Sequence, residues 1–286
     1  MKHFIENIKL ESLPKECIII GEDLALIPLS DTFSIKGEPI IKLSHAIITV
    51  ISAGNCHIKI NLEEHDIESP SLLTLLPGQI IEPMGKSPNF EGYAIALSKR
   101  FIDTINLPGW QQHYMSMYNN PIGILDSDRL ESMRFFYTIL YRAAENKDNP
   151  FRLQVIENLI RVFYYGGLVK LDPAESKEPM THNAIVKHFI ELVHEHYRTE
   201  RQIGFYADLL CITPKYLSKL VKENTGRSAG EWIERHVILE ARALLQSSDM
   251  TIQQIAASLN FPNQSFFGKY FKRATGLSPK QYKREK

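Results

Sequence analysis

Two groups of side chains near the C-terminus have the residue types and spacing that contact nucleic acid. The first holds Lys215, Ser218, Lys219 and Lys222; the second holds Gln264, Ser265, Gly268, Lys269 and Lys272. Lys and Gln reach base edges in a major groove, and Lys, Arg and Ser also hold phosphates. Each group falls on the outward face of a helix whose other positions are apolar anchors. In the first unit these anchors are Leu217, Leu220 and Val221; in the second they are Phe266, Phe267, Tyr270 and Phe271. Both groups sit in a repeat with a fifty-residue offset, Lys222-Glu-Asn-Thr225-Gly226-Arg-Ser228 and Lys272-Arg-Ala-Thr275-Gly276-Leu-Ser278. A fixed-period repeat is one small unit built twice. One basic helix face is usually just solvated, whereas two aligned on repeated units seldom are.

The elements that must position these faces read as two helix-turn-helix units, at about 204–225 and 252–275. Such a unit needs an alanine where its helices cross, a turn residue tolerant of positive φ and an apolar residue after it. Ala207, Cys211 and Ile212 fill these places in the first unit, and Ala256, Asn260 and Phe261 in the second. Asn suits left-handed φ; Cys is a less usual choice. Ser228 caps a long helix over 229–247, whose apolar stripe Trp232, Ile233, Val237, Ala241, Leu244 and Leu245 makes it a rigid spacer. Ser278-Pro279 opens a last helix. The spacer predicts two reading helices in successive major grooves, about 34 Å apart.

Upstream the pattern changes. Over ~15–100, short apolar runs alternate with turns such as Lys36-Gly37-Glu38-Pro39 and Leu76-Pro77-Gly78. The runs are 17–20, 23–29, 40–43, 46–51, 57–61, 71–76 and 92–97. This rhythm predicts a small antiparallel barrel or jelly roll. Residues ~126–147 and ~150–169 take helical spacing, the second helix ending at Gly166-Gly167. They are apolar enough to pack on the barrel and on a second subunit. Leu171–Thr181 is polar, with two prolines, and reads as a linker. The fold class is therefore α+β multidomain: a barrel over 1–125, two helices over 126–170, a linker over 171–181 and an all-α domain over 182–286.

Charge follows the same division. The chain of 286 residues is neutral overall, with 33 basic and 33 acidic side chains. Residues 182–286 hold 16 Lys and Arg against 10 Asp and Glu, leaving 17 against 23 before them. A basic back half behind an acidic front half points the back half at a polyanion. No apolar run reaches the ~18 residues of a membrane span, and MKHFIENIKLESLPKE is too polar for a signal peptide. Cys17, Cys56 and Cys211 share no metal or redox spacing, so they read as structural thiols in a reducing cytoplasm.

Residues ~182–286 resemble the DNA-binding domain of the AraC/XylS family of bacterial transcription regulators. YLSKLVKENTGRS, ILEARALL, TIQQIAASLNF and QSFFGKYFKRATGLSPKQYK carry the resemblance. Asn260 stands where the family usually has glycine, and Pro262 where an acidic residue or serine is common. The resemblance implies base contacts from Lys215, Ser218, Lys219, Gln264, Ser265 and Lys269, with Lys272 and Arg273 on the backbone. It also implies a cupin-like sensor barrel, a small-molecule effector, a homodimer, promoter DNA and RNA polymerase as partners, and more often activation than repression. No catalysis, cofactor, metal or membrane is expected, and the setting is the bacterial cytoplasm and nucleoid. Two alternatives stand beside this reading. The front domain could only dimerise or dock a protein, or it could be a cupin-type metal enzyme. Against the enzyme, His45, His57 and His65 form no H-x-H pair, and nothing from Gln79 to Met84 supplies a later histidine. His194-Glu195-His196 is an H-x-H on a helix, where the two histidines point apart; it reads as solvated.

Overall fold

The computed structural model describes residues 10, 13–30, 41–61, 63–105, 107, 117–118, 120–165 and 180–284. Backbone contacts divide the chain into two compact units, one before about residue 177 and one after it.

Among the described residues, the first unit is built from ten antiparallel strands in two sheets. The larger sheet has the order β1-β2-β9-β4-β7-β10, with β1 Ile18–Ile20, β2 Leu24–Leu29, β9 Glu91–Ser98, β4 His45–Ala53, β7 Ser71–Leu75 and β10 Ile122–Ile124. The smaller runs β3-β8-β5-β6, with β3 Ile41–Lys42, β8 Ile80–Lys86, β5 Asn55–Ile60 and β6 Glu63–Glu68. Strand alternation sends successive side chains to opposite faces, and both faces of the larger sheet are used. Leu24, Leu26, Ala46, Ile48, Val50, Leu72, Ile95 and Leu97 face three helices: α1 Lys99–Ile105, α2 Ser127–Glu145 and α3 Arg152–Phe163. Ile51, Leu73 and Leu75 face the smaller sheet's Ile41, Ile58, Ile60, Ile67 and Ile81. Ala25, Ile27, Ala94 and Ala96 share that inward face. Gly92 in β9 sits so close to β4 that a Cβ there would lie 2.2 Å from the Val50 carbonyl oxygen.

Three strands escape an apolar-run reading. β6 is EEHDIE, in which only Ile67 is buried. It pairs with β5 through an ion pair, Lys59 Nζ to Glu64 at 3.0 Å, and a hydrogen bond between His57 Nδ1 and Asp66 at 2.5 Å. β8 begins apolar and becomes polar, and β10 is three residues long. Helix α1 also goes unsignalled by the sequence pattern. Asp126 caps α2 by accepting the Arg129 N–H at 2.8 Å. Met133, Leu140 and Ala144 on α2 meet Ile156, Ile160 and Phe163 on α3, with the Phe136 and Phe163 rings stacked at 4.1 Å. The Gly166-Gly167 stop, and the linker apart from its last two residues, lie outside the described residues. Met180 and Thr181, assigned to the linker by composition, already belong to the next helix.

The second unit is wholly helical among the described residues: α4 Met180–His196, α5 Ile203–Leu209, α6 Pro214–Thr225, α7 Ala229–Ser247, α8 Ile252–Ser258, α9 Gln264–Thr275 and α10 Pro279–Arg284. The repeated Thr-Gly-x-Ser explains two of its corners. Gly226 and Gly276 end α6 and α9 in the left-handed region, at φ 73° and 80°. That conformation suits glycine, which has no Cβ to clash. Thr225 donates back to the Val221 carbonyl at 2.7 Å, and Thr275 to that of Phe271 at 2.8 Å. Ser228 and Ser278 then start α7 and α10 in capping boxes with Glu231 and Gln281. The corners differ in one respect. The Thr225 hydroxyl also accepts the buried Trp232 Nε1–H at 2.8 Å, whereas Tyr282, the second copy's aromatic, accepts from Arg242 at 2.5 Å.

Thr225→Val should therefore destabilise the protein by about 1–3 kcal/mol, because a buried indole N–H loses its acceptor. Thr275→Val should cost less. Denaturant unfolding of both variants measures the difference; equal losses would remove the asymmetry.

Candidate nucleic-acid interface

Two helix pairs, α5–α6 and α8–α9, repeat one geometry. The first helix of each pair buries its alanine, Ala207 or Ala256. The turn residues Cys211 and Asn260 adopt φ 54° and 53°. The chain then closes the turn with matching hydrogen bonds, Ile212 N–H to the Ala207 carbonyl at 3.0 Å and Phe261 N–H to that of Ala256 at 2.9 Å. Cys211 thus takes the backbone state foreseen for its place, at the usual steric cost of a non-glycine residue. Thr213 caps α6 by accepting the Tyr216 N–H, with Pro214 at the first position. Asn263 caps α9 by accepting the Ser265 and Phe266 N–H groups at 3.0 Å each.

On α6, Lys215, Lys219 and Lys222 are exposed and Ser218 is half-buried. Leu217, Leu220 and Val221 hold the helix down from the other side. On α9, Gln264, Ser265, Lys269, Lys272 and Arg273 are all exposed, and Phe267 and Phe271 are buried. Lys219 lies 3.7 Å from Glu223 on its own helix. Arg273 pairs with Glu234 of α7 at 2.5 Å and lies over the Tyr270 ring. That pair holds the Arg273 guanidinium above its usual range.

One expected anchor is not an anchor. Phe266 is 61% exposed, and Tyr216, fifty residues earlier on α6, is 39% exposed. At 100° per residue, position 266 lies 100° from Phe267 and 140° from Phe271, about a third of a turn off the buried side, and only about 60° from Lys269. A run of two phenylalanines hides this, because neighbours on a helix point 100° apart and the pattern alone does not say whether both reach the core, as Leu220 and Val221 do on α6, or only one.

The relative placement of the two pairs is fixed by more than α7. The segment after α4, Tyr197 to Arg201, is tied to both α7 and the second turn. Glu240, buried in the middle of α7, accepts from Tyr197 Oη at 2.8 Å and from the Arg198 guanidinium. Burial, then the Glu240 charge, pushes the Tyr197 phenol well up. Arg201 donates to the Asn260 carbonyl at 3.0 Å and to that of Leu259. Its guanidinium carbon sits 3.9 Å from the centre of the Phe261 ring. Asn260 answers by donating to the Thr199 carbonyl at 3.0 Å. A cation on the last carbonyls of α8 also meets the negative end of that helix. Nearby, His194 does not stand in solvent as its motif suggested. Its ring packs edge-on against buried His236 at 4.5 Å, and His236 stacks on Trp232.

In the first unit the three barrel histidines are dispersed. His45 bridges Ser44 and the Glu22 carbonyl, and His57 binds Asp66. Among the described residues no group of three or more His, Cys, Asp or Glu is placed to hold a metal. No helix among them is long and apolar enough to cross a membrane.

The family described as a helix-turn-helix domain matches residues 206–285. The regulatory protein PocR of Salmonella typhimurium is 26% identical over 137 residues, covering 46% of this chain and 45% of that protein. The arabinose operon regulatory protein of Escherichia coli is 32% identical over 81 residues, 28% of either chain. The chain thus spans less than half the length of these curated relatives. Among solved structures, the C-terminal domain of AraT, a response regulator from Geobacillus stearothermophilus, is 29% identical, with 36% of this chain and 85% of that one covered at a TM-score of 0.34. ToxT from Vibrio cholerae is 13% identical, with 91% and 97% covered at a TM-score of 0.45. The C-terminal part of this chain carries an AraC-type helix-turn-helix domain.

Arg201→Met keeps the bulk of the side chain but loses its donors. The second unit should lose about 1–3 kcal/mol of stability, as for charge-assisted hydrogen bonds. Calorimetric unfolding checks this, and an unchanged midpoint would mean that α7 alone sets the geometry.

Proposed function

We propose that the protein is a sequence-specific, DNA-binding transcription regulator whose helices α6 and α9 enter successive major grooves. The observation that carries this reading is the repeated geometry: two capped helices, each held by a buried apolar face, with Lys215, Lys219 and Lys222 on one outer face and Gln264, Ser265, Lys269, Lys272 and Arg273 on the other. Lys215, Ser218, Lys219, Gln264, Ser265 and Lys269, near the middle or start of each helix, read base edges. Lys222, Lys272 and Arg273, nearer the ends, hold phosphates. The E. coli relative is named for regulating an operon, which supports the same role here.

The front domain, on this proposal, is a small-molecule sensor and homodimerisation module rather than an enzyme. Its two facing sheets form a barrel of the size that holds either packed side chains or one small ligand. Phe135, Ile139, Leu153, Val155 and Val162 of α2 and α3 are exposed, an apolar set that a second copy would cover. Activation through RNA polymerase and action in the bacterial cytoplasm, at the nucleoid, complete the reading.

Selection of bound sites from random DNA by the full-length protein, at stated salt, should enrich two short boxes about one helical turn apart. Binding with no enrichment would overturn the reading. On the selected site, Lys219→Ala or Lys269→Ala should cost about 1–3 kcal/mol and relax one base position. Lys222→Ala or Lys272→Ala should weaken binding to all sequences alike and lower the salt slope by about one ion.

A further inference from the structure

Phe266 has no structural work to do where it stands. It is 61% exposed, next to the buried Phe267 that holds the helix. A lone exposed apolar residue is ordinary, but this one is not alone. Phe266, Phe261, Pro262 and Tyr270 line a shallow depression of about 380 Å³ on the flank of α9, and Lys269, Arg273 and Arg201 line it too. The depression therefore combines apolar surface with three cations. Two of the cations are anchored: Arg201 lies over Phe261 at 3.9 Å and Arg273 over Tyr270 at 5.3 Å. Helix α6 presents Tyr216 at the matching place, beside Lys215 and Lys219.

An apolar patch edged by positive charge suits an occupant that is itself apolar and flanked by negative charge. Within a major groove one base-pair edge meets that description: thymine, whose C5 methyl is the only apolar group displayed there, between phosphates. Phe266 has no hydrogen-bonding atom, so it can recognise nothing else on a base edge. Lys269, one helical turn on, is placed to hold the neighbouring base or phosphate.

We infer that Phe266 is a specificity-determining residue, reading a thymine methyl in the box bound by α9, with the depression beside it receiving the deoxyribose edge. This rests on the DNA-reading role proposed for α9, and the test separates the two. On the selected site, each thymine of the α9 box is replaced in turn by uracil, which deletes the methyl and leaves every hydrogen-bonding group in place. Loss of one buried methyl should weaken binding about three- to tenfold at a single position. Phe266→Ala should weaken binding to the thymine site by a similar factor and abolish the difference between thymine and uracil there. Phe266→Leu, which retains apolar bulk, should restore part of the difference. The variants remove an exposed side chain, and an unchanged unfolding midpoint verifies that each is folded.

The inference is overturned if no uracil substitution weakens the wild-type protein, or if the penalty persists in Phe266→Ala. It is also overturned if Phe266→Ala weakens thymine and uracil sites equally, since that would mean contact with sugar alone. Failure to select any sequence would instead overturn the DNA-reading role itself.

Discussion

The buried carboxylate of Glu240 is the constraint on which the helical unit depends. A charge in the interior of a helical core is costly unless it is paired and hydrogen-bonded. Tyr197 and Arg198 meet that requirement from the end of α4. Once they do, the next three residues have little freedom. Thr199 and Arg201 are delivered to the turn between α8 and α9, where Asn260 and Arg201 exchange hydrogen bonds in both directions. One short segment, lying just before α5, thereby touches the spacer helix and the second helix pair together. The two outer faces are held by a closed triangle of contacts rather than by a single strut.

This arrangement gives Asn260 a second role. Its left-handed backbone makes the turn, which glycine would also do at lower steric cost. Its amide reaches the Thr199 carbonyl, which glycine could not. Cys211 in the first pair shares the backbone state at φ 54° and is exposed. The first turn is thus built on the same backbone but ends in solvent.

Much of the helical unit was legible in the sequence, because its signals are local. Capping residues, the glycines after α6 and α9 and the 3.6-residue stripes each act within one or two turns of chain. Helix α7 runs Ala229–Ser247, the span its pattern predicted. The misreadings arose where the answer depends on distant partners. Phe266 looked like a core residue because its neighbour is one, and only the azimuth of the packed helix separates them. His194 looked solvated because His236, forty-two residues away, is what buries it. In the barrel, β6 carries five charged or titratable residues and a single buried one, so apolar periodicity could not reveal a strand. Its existence comes from backbone pairing to β5 and from Lys59 and His57 opposite its acids. The outward side chains of α6 and α9 were visible as types and spacing. Which of them meets a base is a property of the complex.

The composition of β6 has a consequence for how copies of this protein can associate. Each sheet ends in strands whose outer backbone groups could template pairing with another chain. In the larger sheet those ends are β1 and β10, each three residues long; in the smaller they are the two-residue β3 and the acidic β6. Among the described residues, three of these edges offer no more than three residues of strand to a partner. The fourth is long enough but would bring Glu63, Glu64, Asp66 and Glu68 against their own copies. Sheet-to-sheet joining and its extension into fibrils are therefore blocked by length on three sides and by like charge on the last. Acidification or high salt, which neutralises or screens those carboxylates, removes the like-charge part of that protection and leaves only the short edges.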